Sequence, residues 1–340
     1  MSSLTRLILI RHGESVGNVQ GIMQGSGPGA RAKAAPYDRL TPQGHHQALA
    51  LGHHLAQPSQ QASGQTAPPT HLYSSPARRT QQTFSALLWA YRLTLRGATW
   101  TDLQRQWQGL AQSTDARGSF SQALPPKSRS QRGRGTLNPL VPLLALWGLG
   151  PGDEGVRFAA HRLTDQDCLD FLALNADDRP DHDRPDHDRP LEQFQLDDRL
   201  QEINNGIFCG LTWTQAQQQY PGLCQQLLNS PDWVPIPQAE TPQQCHDRAQ
   251  AWIQTVTQLP SGSQIWAVTH GGILPYLWAA ILGCDRTWGF TAAHTACFEL
   301  CWDGDRWQSI TRSSNTRHNT TLWHIAQFNN TDHYRLLSAS

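Results

Sequence analysis

Leu7-Ile8-Leu9-Ile10-Arg11-His12-Gly13-Glu14-Ser15 decides the reading of this chain. Four apolar residues, two of them β-branched, suit a strand buried on both faces of a parallel sheet. The run stops abruptly at Arg-His-Gly. In open α/β sheets ligands gather where strands end at their carboxyl edge, so a histidine beside an arginine there is placed for chemistry. A core strand that merely ends in polar residues would look the same. A second occurrence separates the two readings: Trp266-Ala267-Val268-Thr269-His270-Gly271-Gly272, another apolar strand that runs into His-Gly far down the chain.

Composition narrows the class. With 340 residues, the chain accommodates one large α/β domain with insertions, or two domains. A formal net charge of zero argues against a nucleic-acid or membrane-surface role that rests on bulk charge. No run approaches the roughly 18 apolar residues of a membrane-spanning helix. The amino terminus enters a strand without the apolar h-region of a signal peptide, which leads us to expect a cytoplasmic protein. Seven cysteines, odd in number and without a CxxC, read as buried thiols rather than as a zinc or disulfide framework. Cys297 and Cys301 share one face of a predicted strand. Lysine occurs only at Lys33 and Lys127, whereas arginine is abundant, and its planar fork suits phosphate. The sequence does not specify an oligomeric state.

Between the two His-Gly strands the chain alternates helices and short strands. Thr41 as N-cap and Pro42 at the first helical position start a helix whose apolar face is Ala48, Leu51 and Leu55. His45 and His46 recur on it eight residues later as His53 and His54, but no carboxylate completes a metal site, and they read as solvent-facing. Leu72 to Ser75 is a short strand, followed by a helix from Pro76. Residues 91–197 read as an insertion in three parts: a basic Ser/Gly-rich stretch at 113–135, an apolar segment at 137–149, and a repeat of Asp-His-Asp-Arg-Pro within 176–190. The prolines and neutralised charge of the repeat fit a solvated linker better than a metal site. Thr241, Pro242 and Gln244 form a capping box ahead of another long helix.

Taken together, Arg11-His12-Gly13-Glu14 and Thr269-His270-Gly271-Gly272 resemble the histidine phosphatase superfamily, on its phosphoglycerate-mutase-like side. The resemblance covers residues 1–90 and 197–335. It implies a three-layer α/β/α sandwich around a mostly parallel sheet, with the insertion as a partial cap over one domain spanning 1–340. It implies that Asn18, Gln24 and Gly25 belong to a substrate loop, and that Ser74, Ser75 and Thr83 align so as to put the second phosphate-binding arginine on Arg79 rather than Arg78. In Leu200-Gln201-Glu202-Ile203-Asn204-Asn205-Gly206 it implies the general acid on Glu202. Arg248 matches a common family arginine, paired with Glu240 or another acid. Phe328 to His333 looks like the closing Asn-x-x-x-His segment.

The chemistry that this implies is phosphoryl transfer without metal or cofactor. A phosphate monoester is a dianion at neutral pH, so it must be neutralised and aligned, and its leaving oxygen protonated. Arg11 and Arg79 supply forked donors. His12 is the nucleophile, a neutral imidazole with one nitrogen free and the other on a backbone acceptor. His270 donates to the phosphoryl group as charge shifts onto it. Glu202 gives the proton and then serves as base for water, which calls for apolar surroundings. The related acid phosphatases carry their acid as His-Asp; here Gly271 occupies that position, which throws the role onto Glu202, while Gly271 itself belongs to the substrate site. The expected partner is a phosphorylated small molecule, with no nucleic acid and no membrane. A phosphoglycerate mutase is the alternative activity, and a non-catalytic scaffold the remaining one, disfavoured because all five chemical positions are occupied.

Overall fold

The computed structural model describes residues 4–25, 35–57, 68–108, 194–287, 289–305 and 323–338. By contact the chain divides into two units, residues 1–91 with 191–340, and residues 92–190. The first contains a six-stranded sheet of order β3-β2-β4-β1-β5-β6. Its strands are β1 (Leu4–Arg11), β2 (His71–Ser74), β3 (Phe194–Leu196), β4 (Gln264–Thr269), β5 (Cys297–Asp303) and β6 (His324–Asn330). β3, β2, β4 and β1 are parallel neighbours, whereas β5 and β6 add antiparallel strands at one edge. Leu7 to Ile10 and all of β4 are buried, as continuous apolar runs covered on both faces require.

Strand alternation distributes these residues between two helical layers. Leu7, Leu9, Ile265 and Ala267 pack with Trp252, Ile253, Leu274 and Trp278, from the Pro242–Thr257 and Leu274–Leu282 helices. On the opposite face Trp266 of β4 meets Tyr91 edge-on, with centroids 5.0 Å apart, from the Arg78–Leu95 helix. The result is the three-layer α/β/α arrangement. The helix expected from Thr41 is Pro42–Leu55, with Thr41 accepting from Gly44 N–H, and the Thr241 capping box is closed.

One local reading is corrected. His45 and His53 are buried rather than solvent-facing, because the Pro42–Leu55 helix is enclosed over most of its circumference. His45 Nδ1 donates to Thr41 O at 3.0 Å, and burial pushes its pKa down to about 4. Among the described residues no three His, Cys, Asp or Glu gather to hold a metal ion. After Glu202 the chain forms two helices, Trp213–Gln219 and Pro221–Asn229. Pro221 begins the second one, where a missing N–H costs nothing. In the second unit, residues 100–108 are helical. The segments 113–135, 137–149 and 176–190, and the cap role given to the insertion, lie outside the described residues. No helix of the described residues is long and apolar enough to cross a membrane.

Candidate active site

β1 and β4 end in register, with Arg11 opposite Thr269. The next residues, His12 and His270, therefore leave adjacent strands side by side, and the His12 N–H donates to Thr269 O at 2.9 Å. Their ring centroids are 5.2 Å apart. One strand over, β2 delivers Ser75, whose N–H donates to Val268 O at 3.0 Å.

His12 is 2 % exposed. Its Nδ1 lies 2.7 Å from Gly13 O. A carbonyl only accepts, so Nδ1 carries the proton and Nε2 keeps its lone pair. Burial, then the neighbouring cations Arg79 and Arg11, hold the imidazole well below its usual pKa and neutral at pH 7. Gly13 is fixed by its surroundings. Its N–H donates to Thr83 Oγ1 at 3.0 Å, and a Cβ there would stand 2.5 Å from Gly44 O. The glycines of Arg-His-Gly and of Thr-Pro-Gln-Gly are thus two sides of one backbone contact.

Arg79, not Arg78, meets both histidines. It is 4 % exposed, its Nε donates toward His12 Nε2 at 3.3 Å, and its Nη2 donates to His270 Nδ1 at 2.9 Å. Its Nη1 pairs with Asp38, which also accepts the Arg78 backbone N–H at 3.1 Å. A guanidinium only donates, so His270 Nδ1 accepts, and His270 Nε2–H donates to Ser75 Oγ at 2.7 Å. Burial and Arg79 push the His270 pKa well down. Toward Arg79 His270 is therefore an acceptor, the reverse of the donor role expected toward a phosphoryl group. A dianion bound beside the rings would supply negative charge that favours imidazolium.

Arg11 gives Nη1 to Ala292 O, while its Nε is buried with no partner among the described residues. Burial pulls its pKa down, and Glu202 is the first of the charges that oppose this. A Cβ on Gly271 would stand 3.1 Å from Arg11 Nε, so glycine at this position leaves the guanidinium its place.

Glu202 arrives on the loop after β3. Arg248 binds Glu240 through Nε and Nη2 at 2.6 and 3.0 Å. Its Nη1 donates to Arg199 O at 2.7 Å and Gln201 O at 2.8 Å, so it clamps the backbone leading into Glu202. Glu202 Oε1 accepts from Ile203 N–H at 2.9 Å and Oε2 from Gly272 N–H at 3.3 Å. The carboxylate is thereby tied to the turn after His270. The apolar setting expected for it is replaced by backbone amide donors.

In the substrate loop, Asn18 Oδ1 accepts from Ser15 N–H at 3.0 Å and Ser15 Oγ at 2.8 Å, closing the cap of the short Val16–Val19 helix. Gln24 Nε2 donates to Ser15 Oγ at 2.9 Å, and Gln24 O accepts from Asn205 Nδ2 at 2.8 Å. A Cβ on Gly25 would stand 2.8 Å from Ile203 O. These three residues bind their own loop together and join it to the Glu202 loop. Asp38 and His294, whose ring centroid is 6.2 Å from that of His12, went unnoticed in the sequence. Asp38 lies just ahead of a helix cap, where an acid reads as a partner of the helix amides, and no spacing ties it to Arg79.

The sequence matches the family described as histidine phosphatase superfamily (branch 1) over residues 7–117 and 187–315. The chain belongs to the histidine phosphatase superfamily. No curated protein matches it by sequence. Solved structures resembling it include YhfR of Bacillus stearothermophilus, at 17% identity and TM-score 0.51, covering 97% of this chain and 98% of that one. The alpha-ribazole phosphatase of Shigella flexneri follows at 16% and 0.50, with 96% of each chain covered. A phosphoglycerate mutase of Bacillus anthracis shows 14% and 0.49, covering 98% of this chain and 97% of that one. At such identities the first two likenesses speak for the fold alone.

Proposed function

We propose that this protein hydrolyses a phosphate monoester of a small sugar or organic acid through a phosphohistidine on His12. The observation that carries the reading is the state of His12. The Gly13 carbonyl holds its Nδ1, and its neutral Nε2 meets Arg79, with the His270 ring and the Arg11 charge as neighbours. Arg11 and Arg79 take the phosphoryl oxygens as charge-assisted donors. Nε2 attacks phosphorus as the ester oxygen leaves, and Glu202, driven toward its protonated form by the incoming dianion, protonates that oxygen. Water, deprotonated by Glu202, then opens the phosphohistidine and regenerates the imidazole. All of the charge stabilisation in this scheme comes from groups the fold already holds in place.

Once the phosphoenzyme has formed, hydrolysis is favoured over mutase action. A mutase must hold a bisphosphorylated intermediate and exclude water, which calls for cations at a second anion site. The stretch Gly210 to Val234, after Glu202, contains no arginine or lysine, and Gly17 stands before Asn18. The test is to incubate the protein with sugar phosphates and phosphoglycerates and compare released phosphate with isomerised product, with His12→Ala as control. We expect phosphate release by the wild type and no acid-labile label on His12→Ala. Isomerisation of 3-phosphoglycerate that outpaces phosphate release would defeat the hydrolase reading, and label persisting on His12→Ala would remove the nucleophile.

A further inference from the structure

A third histidine stands beside the nucleophile and has no place in that scheme. His294 lies on the segment leading into β5, and its Nε2 is buried without a hydrogen-bond partner among the described residues. Native structures pair nearly all buried polar atoms, so such a nitrogen needs a reason. Burial and Arg11 lower the His294 pKa to about 4, against the opposing pull of Glu14. The ring is therefore neutral, and by choice of tautomer Nε2 either donates or accepts.

The backbone supplies an independent observation. Thr295 has φ 52°, in the left-handed region that a β-branched residue enters only under constraint. The constraints surround it. Its N–H donates to His12 O at 3.3 Å, and its hydroxyl donates to His294 O at 2.7 Å. The same hydroxyl lies 2.8 Å from His333 Nε2, and Tyr334 OH donates to His294 O. These contacts fix the His294 backbone against that of the nucleophile, at the expense of local strain. Over-determined strain of this kind collects where a side chain must be held for a ligand.

We propose that His294 is a substrate-contacting residue whose Nε2 hydrogen-bonds a hydroxyl on the alcohol portion of the phosphate ester, selecting esters of polyhydroxylated alcohols. The inference rests on the phosphoryl group binding at His12. A hydroxyl both donates and accepts, which matches a neutral imidazole. An apolar leaving group would leave Nε2 bare, and a site built to bond a hydroxyl rejects analogues that lack it.

The test compares binding of two non-hydrolysable probes, methylphosphonate and 3,4-dihydroxybutylphosphonate, by titration calorimetry. The wild type should prefer the dihydroxy probe, and His294→Phe should lower that preference about tenfold, as loss of one buried hydrogen bond implies. His294→Asn, which keeps a donor and an acceptor, should restore part of it. In the wild type the His294 nitrogen resonance, assigned by its absence from His294→Asn, should shift with the dihydroxy probe and not with methylphosphonate. That measurement stands even if His294→Phe does not fold. A preference that survives His294→Phe, equal loss for both probes, or equal resonance shifts would overturn the proposal. Failure of methylphosphonate to bind the wild type brings down the phosphoryl site, and His294 with it. Methylphosphonate binding without a hydroxyl preference brings down His294 alone.

Discussion

β1 carries an arginine near each end, and the two are treated in opposite ways. Arg6 is 5 % exposed, and its Nε donates to the buried Glu299 at 2.7 Å. Arg11 gives one nitrogen to a carbonyl and keeps another buried with no partner among the described residues. Arg79 stands between, with one carboxylate and two neutral imidazoles on its three nitrogens. Burial of an arginine is therefore no mark of function. What marks the site is a cation that the fold desolvates without neutralising, which is costly until an anion arrives.

The largest effect should come from opening the neutralised pair. Arg6→Met strands Glu299 in the core and should cost about 3–5 kcal/mol of stability, read by urea denaturation, and adding Glu299→Leu should recover most of it. If Arg11→Met destabilises as much, the contrast between the two ends of β1 is gone. Arg11→Met and Arg79→Met should instead lower kcat/KM about 10²-fold or more, as deletion of a charge-stabilising donor does. Unfolding midpoints near that of the wild type would keep the two classes apart. Glu202→Gln should slow alkyl phosphates by about 10²-fold but p-nitrophenyl phosphate far less, since that leaving group needs little protonation. Equal losses on both esters would make Glu202 a structural link to Gly272 and nothing more.

A last effect, on stability against pH, concerns a buried base outside the proposed scheme. His45 titrates at about 4 in the folded protein because of burial, whereas the unfolded chain takes up its proton near 6.5. In that window the unfolded state binds more protons, so stability falls as pH drops from 6.5 toward 4. The full slope for one group is about 1.4 kcal/mol per pH unit. His45→Gln should flatten the curve of stability against pH by that amount over the same range. An unchanged slope would mean that the imidazole is hydrated and that the Pro42–Leu55 helix is less enclosed than it looks.

Much of this centre was legible because its parts follow short-range rules. An apolar run that ends in Arg-His-Gly announces both a strand and its useful end, and a second run that ends in His-Gly finds its neighbour. Thr41-Pro42 and Thr241-Pro242 mark helix starts by local hydrogen bonding, so they read off directly. Asp38 and His294 were not legible as site neighbours. Each acts through contacts across the fold, and neither carries a spacing that distinguishes it from an ordinary loop residue. His45 and His53 misled for the complementary reason: imidazoles eight residues apart look the same on a wet helix and on an enclosed one. The amide-rich setting of Glu202 depends on where Gly272 comes to rest, which no local pattern records.

β2 and β3 lie side by side, with Leu72 opposite Phe194, although the chain between the Arg78–Leu95 helix and β3 runs from 96 to 193. The entropy of closing a free chain grows only with the logarithm of its length, about 0.6 kcal/mol for each doubling. Lengthening the chain at this point is thermodynamically cheap. It is also geometrically quiet, because β3 is the outermost strand and Arg11, His12, Arg79 and His270 are positioned by β1, β4 and the helix after β2. The sheet thus has a seam at which sequence can be gained or shed while Arg11, His12, Arg79 and His270 stay where they are, provided that β3 still delivers Glu202.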